Sequence, residues 1–471
     1  MARAATHLPV IPSWQNTVVK IPPPDPQYVS MNKGLGFIAF LSLPLSISAL
    51  LFSGDYDYAS AIGLIPLLLL INVVLVMVFS TRDPLLRQTM LGATAVKIAG
   101  AGLYLFMCYR VYDNGADALH YFTVGQGLAN AFWSRGEWPL MFPLWSTSLV
   151  NTIVAHLILI VGPSMPALFV LFAFFSLWGG YFFYRAFCLI FPNGNRAAAS
   201  VLLFFLPSIV LWTSSIGKDA IIALFLGIAA YGFALVRTRP GPRSYVVLSI
   251  GLAGAMAIRP HVAAMLSVAM VFPYLFAKNL RGIAGGVYKV AGLLILAAAS
   301  VFLVSQAQDF LQMSDFKNAT SVIERISNAN REGGSGFGAG SSLPARVAMA
   351  PLLLFRPLPW EIHNPQSAVA SLEGLTLLFL LWRRRNGLLQ LVRGWRANPY
   401  VLFIVLYAGV FCVTFAAASS NFGTLSRMRV MLLPFAVMML CGAPAVQRAS
   451  ASAVRAPQPR PYGRRAVTEP R

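Results

Sequence analysis

Charged side chains are scarce in this sequence. Asp, Glu, Lys and Arg make up 11% of its 471 residues, whereas a soluble domain carries about a quarter. Hydrophobic residues reach 57%, and the mean hydropathy is +0.68. This composition excludes an ordinary soluble domain. Apolar runs near the length of a membrane span recur along the chain and predict an all-α, polytopic integral membrane protein.

Cysteine and the common catalytic motifs are also rare or missing. The four cysteines show neither metal-ligand spacing nor the pattern of a disulfide framework; they are Cys108, Cys188, Cys412 and Cys441. The sequence has no Walker loop, no HExxH motif, no CxxC pair and no G-x-S-x-G elbow. Nucleotide hydrolysis and zinc proteolysis are therefore unsupported.

Positive charge is in large excess, with 36 Lys and Arg against 15 Asp and Glu, a net charge of +21. Such an excess is found in nucleic-acid-binding proteins, but basic residues also collect in the cytoplasmic loops of membrane proteins. In a chain this apolar the second explanation is favoured. We expect membrane lipid, and no nucleic acid, as a partner.

Twelve crossings are predicted from the apolar runs. They lie near 34–52, 60–80, 90–109, 165–190, 198–213, 219–236, 244–258, 261–277, 287–305, 366–382, 399–418 and 430–447. Segment 147–162 is apolar enough to be a thirteenth. If it crossed, the RTRPGPR loop (237–243) and the RRR run (383–385) would move outside, against the positive-inside rule. We expect a helix at the outer surface, or one that dips part-way in.

The predicted topology places both termini in the cytoplasm of a bacterial-type inner membrane. Residues 1–33 form a polar cytoplasmic segment without a signal-peptide pattern, so the first helix is expected to be an uncleaved anchor. Residues 34–447 form the transmembrane domain, and 448–471 a disordered, basic cytoplasmic tail. The long loops, 110–164 and 306–365, lie outside, and since function concentrates in loops we expect the outer face to be active.

The stretch YDNGADALHYF places polar residues at the outer end of an apolar run. If a helix begins near Asn114, helical spacing puts one polar stripe on it; its members are Asp117, His120, Thr123, Gly127, Asn130 and Ser134. This predicts an amphipathic helix in the membrane interface. Asp113 and Asp117 are candidate catalytic carboxylates and His120 a candidate substrate ligand. Alternatively, Asn114 caps the helix and Asp117 lies at its third position.

Two clusters follow between predicted helices. WTSSIGKDA (212–220) offers Lys218 as a substrate ligand, although a serine could instead cap the next helix while Asp219 favours its dipole. IRPH (258–261) lies at the tip of two short helices. Arg259 and His261 are candidate ligands there, since a membrane arginine should face protein or water. The alternative is a structural role for Arg259, paired with Asp117 or Glu361.

Two later stretches complete the candidate site. FRPLPWEIHN (355–364) contributes Arg356 and Glu361, and NFGTLSRMR (421–429) contributes Asn421, Arg427 and Arg429. Residues at i and i+2 point different ways on a helix, so at most one of the last two arginines needs to face a site. The planar fork of arginine suits phosphate, to which it donates two hydrogen bonds.

A carboxylate beside a lipid interface can deprotonate a hydroxyl while arginines stabilise a leaving phosphate. Here the chain resembles the GT-C superfamily of membrane glycosyltransferases, in particular bacterial members similar to protein O-mannosyltransferases and aminoarabinose transferases. The resemblance covers about residues 90–240. It rests on the order of an Asp-bearing outer loop, an amphipathic helix, the lead EWPLMFPLWSTSLVN (137–151) and a helix descending to YRAFCLIFPNGNR (184–196).

The resemblance implies a GT-C-like fold and an outer-loop catalytic base, which by position is Asp117 or Asp113. We favour Asp117 because it leads the polar stripe. The family often has adjacent acids, whereas this chain has Asp-x-x-x-Asp, and a divalent metal remains a candidate cofactor. The implied partners are a polyprenyl-phosphate-linked sugar and a glycan, lipid or protein acceptor. The later motifs look like those of bacterial envelope-polysaccharide membrane proteins.

Three alternatives remain open. A polysaccharide polymerase of the O-antigen or exopolysaccharide type would use polyprenyl-diphosphate glycans, which suit the arginines equally well. A transporter or lipid-glycan flippase would need charges and broken helices at the membrane midplane, and the predicted midplanes are almost free of charge. A non-catalytic scaffold is the third.

Overall fold

The computed structural model describes residues 58–275, 348–418 and 422–443, with four single helical positions at 286, 290, 294 and 301. The expected terminal segments, the crossing near 34–52, most of the crossing near 287–305, and Asn421 lie outside these residues.

The described residues form helices and no strand, which confirms the all-α expectation for them. The helices are α1 (Tyr58–Phe79), α2 (Pro84–Arg110), α3 (Asp117–Arg135), α4 (Ser146–Val161), α5 (Met165–Ile190), α6 (Arg196–Phe205), α7 (Pro207–Trp212), α8 (Lys218–Thr238), α9 (Pro242–Ile258), α10 (Pro260–Leu275), α11 (Pro365–Arg393), α12 (Pro399–Ala418), α13 (Phe422–Met428) and α14 (Leu433–Gly442). Short 3-10 turns occur at Ala350–Leu352, Pro359–Glu361 and Arg429–Met431.

Four of the described helices are long and apolar enough to cross a membrane. They are α2, α5, α8 and the Pro399–Ala416 part of α12, and a fifth span is reached if α13 and α14, bent by 55°, count as one. These apolar helices indicate a membrane-embedded protein. The expected total of twelve crossings is not established by the described part of the chain and stays a prediction.

One expected crossing differs in detail, and two others agree with expectation. The run near 198–213 is two helices, because Pro207 lacks the N–H that would continue α6 past Phe205. The runs 244–258 and 261–277 form α9 and α10, which meet at Arg259 and Pro260 as expected for a tip between two short helices.

The bundle is built around α8, which packs between α5 and α9. Glycines allow its backbone to approach α5 closely. A Cβ added to Gly179 would lie 2.4 Å from the Ala223 carbonyl oxygen, and one added to Gly227 would lie 2.3 Å from the Gly179 oxygen. Small residues at helix crossings are typical of membrane proteins. This contact fixes α8, whose first turn carries Lys218 and Asp219.

Helices α3 and α4 form a separate pair. On α3 the residues of the predicted polar stripe are all exposed, and the opposite face, which includes Tyr121 and Phe122, is buried. Gly125 lies so close to α4 that an added Cβ would be 2.5 Å from Val154. With 16 residues α4 is about 24 Å long, shorter than the roughly 30 Å hydrocarbon core. This agrees with the expectation that it does not cross.

The connection from α3 to α4 exposes large apolar side chains. Trp138 is 63% exposed and Phe142 is 72% exposed, and Trp145 and Leu144 are exposed beside them. Tryptophan is enriched where membrane meets water. An amphipathic helix followed by this connection is the arrangement expected of an interfacial element.

One charged side chain is buried within an apolar helix. Lys97 is 1% exposed in the middle of α2, and its Nζ donates to the Ile209 carbonyl oxygen at 2.9 Å and to Thr213 Oγ1 at 2.7 Å. The midplanes were expected to be almost free of charge, and Lys97 is one buried charge within such an apolar helix. The lysine satisfies the carboxyl end of the short helix α7, where carbonyl oxygens lack helical partners.

Candidate functional site

The candidate site begins in the turn between α2 and α3. Asp113 and Asn114 have left-handed backbone conformations, with φ of 45° and 64°. Helix α3 then begins at Asp117, and its N-cap residue, Ala116, makes no side-chain capping bond. The alternative in which Asn114 caps the helix and Asp117 lies at the third position is therefore wrong. Asp117 opens the helix with an exposed side chain.

Arg427 of α13 joins Asp117 to a second carboxylate. Its Nη1 donates to Asp117 Oδ2 at 2.8 Å, and its Nε donates to Asp219 Oδ2. The side chain of Asp117 is 59% exposed, that of Arg427 is 23% exposed and that of Asp219 only 5%. The contact therefore connects an open carboxylate at the surface with a buried one at the start of α8.

Asp219 is also the partner of Arg259. The Arg259 Nη2 donates to Asp219 Oδ1 at 2.6 Å, and Nη1 contacts the Met428 sulfur at 3.2 Å. The partners considered from sequence, Asp117 and Glu361, are not those of Arg259. Its buried Nε has no acceptor among the described residues. Because a buried donor without a partner is costly, this nitrogen is an available ligand position.

We call Asp117, Arg427, Asp219 and Arg259 the outer cluster. Lys218 lies within electrostatic range of all four, which gives three cations against two carboxylates. The positive excess, in a setting that excludes much of the water, favours an anionic ligand.

Neighbouring groups frame the outer cluster. Lys218 Nζ donates to Ser146 Oγ at 2.9 Å, which joins α8 to the start of α4. His261 lies within electrostatic range of Arg259 and Lys218, with its ring 6.2 Å from that of Phe415.

Two tyrosines, Tyr112 and Tyr121, lie near the outer cluster. The Tyr112 hydroxyl accepts a hydrogen bond from Gln366 Nε2 at 2.8 Å, which brings the start of α11 to the turn before α3. Burial raises the pKa of Tyr112 and of Tyr121, and the nearby Asp117 charge raises that of Tyr121 further. Both hydroxyls therefore stay protonated at neutral pH.

Arg429 belongs to a different cluster, although it is two residues from Arg427. It is fully buried, and its Nη2 donates to Glu373 Oε1 at 2.8 Å and to Ser208 Oγ at 2.9 Å. Its Nη1 donates to the Arg356 carbonyl oxygen at 2.9 Å. We call Arg429, Glu373 and Ser208 the inner cluster. The two arginines point in different directions, as their spacing predicts.

Arg356 and Glu361 pair with each other. Arg356 Nε donates to both carboxylate oxygens of Glu361, at 3.0 and 3.1 Å. The Leu358 N–H donates to Glu361 Oε2 at 2.8 Å. This closes the proline-rich turn before α11 into a rigid loop.

The structure therefore brings together only part of the predicted set. Asp117, Lys218, Arg259, His261 and Arg427 converge. The other described candidates lie apart from this group in their contacts: Asp113 and His120 are exposed, Arg356 and Glu361 pair locally, and Arg429 is in the inner cluster.

Asp219 was not among the predicted site residues, although it holds both arginines of the outer cluster. The signal that could have found it is a carboxylate at the start of a long apolar helix. A buried carboxylate there requires cationic partners. The sequence has arginines near other predicted helix ends, and two of them, Arg259 and Arg427, are the partners.

Within the described ranges, no three His, Cys, Asp or Glu side chains come together as metal ligands. No protein-family model, curated protein sequence or solved structure matches this chain. The outer cluster itself is therefore the main indication of what the protein does.

Proposed function

We propose that the protein is a membrane glycosyltransferase that transfers a sugar from a polyprenyl-phosphate-linked donor to an envelope acceptor. The observation that supports this most directly is the outer cluster: an exposed Asp117 at the start of an interfacial helix, bonded to an arginine that leads to a buried, cation-rich interior. This is the arrangement needed for a base beside a phosphate-binding site.

The proposed reaction is a single displacement. An acceptor hydroxyl attacks the anomeric carbon, a new C–O bond forms there, and the bond from that carbon to the phosphate oxygen breaks. Asp117 takes the hydroxyl proton, and the phosphate leaves with the bonding electron pair. Arg427, Arg259 and Lys218 stabilise its negative charge. A single displacement inverts the anomeric configuration.

Arg427 has two roles in this scheme. Without donor it is bonded to Asp117, so the guanidinium occupies that carboxylate. A donor phosphate competes for the same guanidinium and draws it inward. The carboxylate is then released where the acceptor arrives, so donor binding precedes activation of the base.

The positive-inside rule supports a location of the outer cluster on the non-cytoplasmic face of the inner membrane. A polymerase using diphosphate-linked glycans would need the same features, and three cations suit a diphosphate well. We keep it as a variant of the same proposal, distinguished by the number of sugars in the product.

A lipid-glycan flippase is the second candidate. Two observations favour it: Lys97 lies in the middle of α2, and α13 and α14 bend by 55°. Charges and broken helices inside the membrane are typical of transporters. The lysine has a structural explanation at the end of α7, however, and for this reason we place the transferase first.

The proposal is tested with membranes whose lipid-linked sugars carry a radioactive hexose. We expect Asp117→Asn to lower transfer by about 10²–10⁴-fold, with the protein still present in the membrane. Asn130→Ala, on the same exposed stripe of α3, is the matched control and should retain transfer. Unchanged transfer by Asp117→Asn excludes it as the base. Translocation of a labelled lipid-linked glycan without any transfer would establish the flippase instead.

A further inference from the structure

A cleft lies between α11, α12 and α14, and its lining shares no residue with the outer cluster. Its volume is about 330 Å³, at the lower end of the range for small-molecule pockets. The lining is almost entirely carbon, and includes Leu377, Leu388, Ile404, Ala408 and Leu440. A cleft of this composition suits a hydrocarbon chain.

The cleft has a closed floor and an open side. Leu377 and Ile404 are 1% and 2% exposed, whereas Leu381, Val392 and Val405 are each more than a third exposed. A chain could therefore enter sideways, from the surrounding bilayer.

Arg384 lies on the same stripe of α11 as the lining residues. Leu381 precedes it by three positions and Leu388 follows it by four, so helical spacing places all three on one face. Its Nη1 makes only long contacts, 3.4 Å to the carbonyl oxygen of the lining residue Leu440 and 3.3 Å to that of Ala443. In the described part of the chain it forms no ion pair.

Arg384 lies about one membrane thickness along α11 from the outer cluster. Gln366 reaches Tyr112 beside the outer cluster, and Arg384 follows 18 positions later on the same helix. At 1.5 Å per residue this is about 27 Å, close to the roughly 30 Å hydrocarbon core. Trp382 is exposed beside it and is stacked under Arg385, as expected at an interface.

We infer that this cleft binds an anionic glycerophospholipid of the leaflet opposite the outer cluster, with one acyl chain in the cleft and its phosphate on Arg384. Charge complementarity selects the occupant: an apolar cleft alone would accept any lipid, but an arginine with spare donors on its lining stripe selects a phosphate that carries net negative charge. Basic pockets between membrane helices bind anionic headgroups in this way.

The test is the lipid that purifies with the full chain in mild detergent, identified and counted by mass spectrometry. We expect an anionic glycerophospholipid near one per protein. Arg384→Gln should lower its retention about fivefold, as for loss of one basic contact to an anionic lipid. Ala408→Trp, which fills the cleft, should remove it.

Matched controls lie on the same helices. Arg385→Gln removes an exposed neighbouring arginine that is stacked on Trp382, and Val413→Trp adds the same bulk at an exposed position of α12. Both should retain the lipid. Should Ala408→Trp fail to accumulate, Arg384→Gln with its Arg385→Gln control decides the result alone.

Three outcomes would overturn the inference. They are equal retention in Arg384→Gln and Arg385→Gln, a bound lipid that is neutral, and a polyprenyl phosphate in place of a glycerophospholipid. None of these requires glycosyl transfer, so the inference stands or fails independently of the proposed function.

Discussion

The outer and inner clusters use the same chemical pair in opposite ways. In each, an arginine of the segment 427–429 meets a carboxylate from another helix. In the inner cluster both side chains are 0% exposed, and Glu373 also accepts from the Ser208 N–H at 2.7 Å. In the outer cluster Asp117 is 59% exposed. Each cluster contains one buried arginine Nε without an acceptor among the described residues, that of Arg259 in the outer cluster and that of Arg429 in the inner one.

The difference indicates a structural role for the inner pair and supports the functional role proposed for the outer one. A buried ion pair is stable only when its remaining donors and acceptors are satisfied, and the inner cluster nearly meets this condition. It connects α7, α11 and the turn after α13. The outer cluster differs in leaving one carboxylate open to solvent, which is expected of a group that exchanges partners when a ligand binds.

The largest effect on stability is expected from breaking the inner cluster. Glu373→Ala leaves the guanidinium of Arg429 buried without a counter-charge, which costs about 3–5 kcal/mol. We expect a lower thermal unfolding midpoint and less monodisperse protein in detergent. Thr376→Ala, an exposed change one turn along α11, is the control and should behave as wild type. Equal midpoints in both variants would remove the inner cluster as a structural centre.

An intermediate effect is expected at the buried end of the outer cluster. Asp219→Asn keeps the shape but removes the charge that holds Arg427 and Arg259, and we expect a loss of about 1–3 kcal/mol in unfolding free energy. The released arginines should repel each other. Asp219→Asn should therefore also weaken any transfer activity more than its stability change explains.

A double variant tests whether Asp219 stabilises the fold by neutralising two arginines. If Asp219 acts by neutralising two cations, Arg259→Gln combined with Asp219→Asn should recover part of the stability lost in Asp219→Asn alone. Additive losses in the thermal unfolding midpoint would show that the two residues do not interact in this way.

Helical periodicity was enough to predict the exposed stripe of α3 and the divergence of Arg427 and Arg429. Both follow from local spacing, which a sequence carries directly. The pairing of carboxylates with arginines could not be predicted in the same way. Asp117 and Arg427 are 310 residues apart, and their contact depends on how α3, α8 and α13 pack.

Lys97 shows a related limit. In the sequence it is one basic residue in an apolar run, and charge counting assigns such residues to a membrane surface. Its actual position depends on the break at Pro207, which creates a helix end inside the bundle and leaves carbonyl oxygens that need a donor. The proline that breaks the helix can be read from the sequence. The sequence does not show that Lys97, 110 positions earlier on another helix, supplies the donor.

The smallest effect on stability is expected for the exposed pair of the outer cluster, Asp117 and Arg427. Its coupling energy should differ most from that of the buried pair in the inner cluster. A double-mutant cycle of Asp117→Asn and Arg427→Gln should give a coupling of about 0–1 kcal/mol, because solvent and salt screen an exposed pair. The corresponding cycle of Glu373→Gln and Arg429→Gln should give a larger coupling that salt does not change. Urea unfolding at low and high ionic strength measures both. A large, salt-independent coupling between Asp117 and Arg427 would mean that the arginine holds the carboxylate firmly. Asp117 could then not release Arg427 and accept the proton of an acceptor hydroxyl.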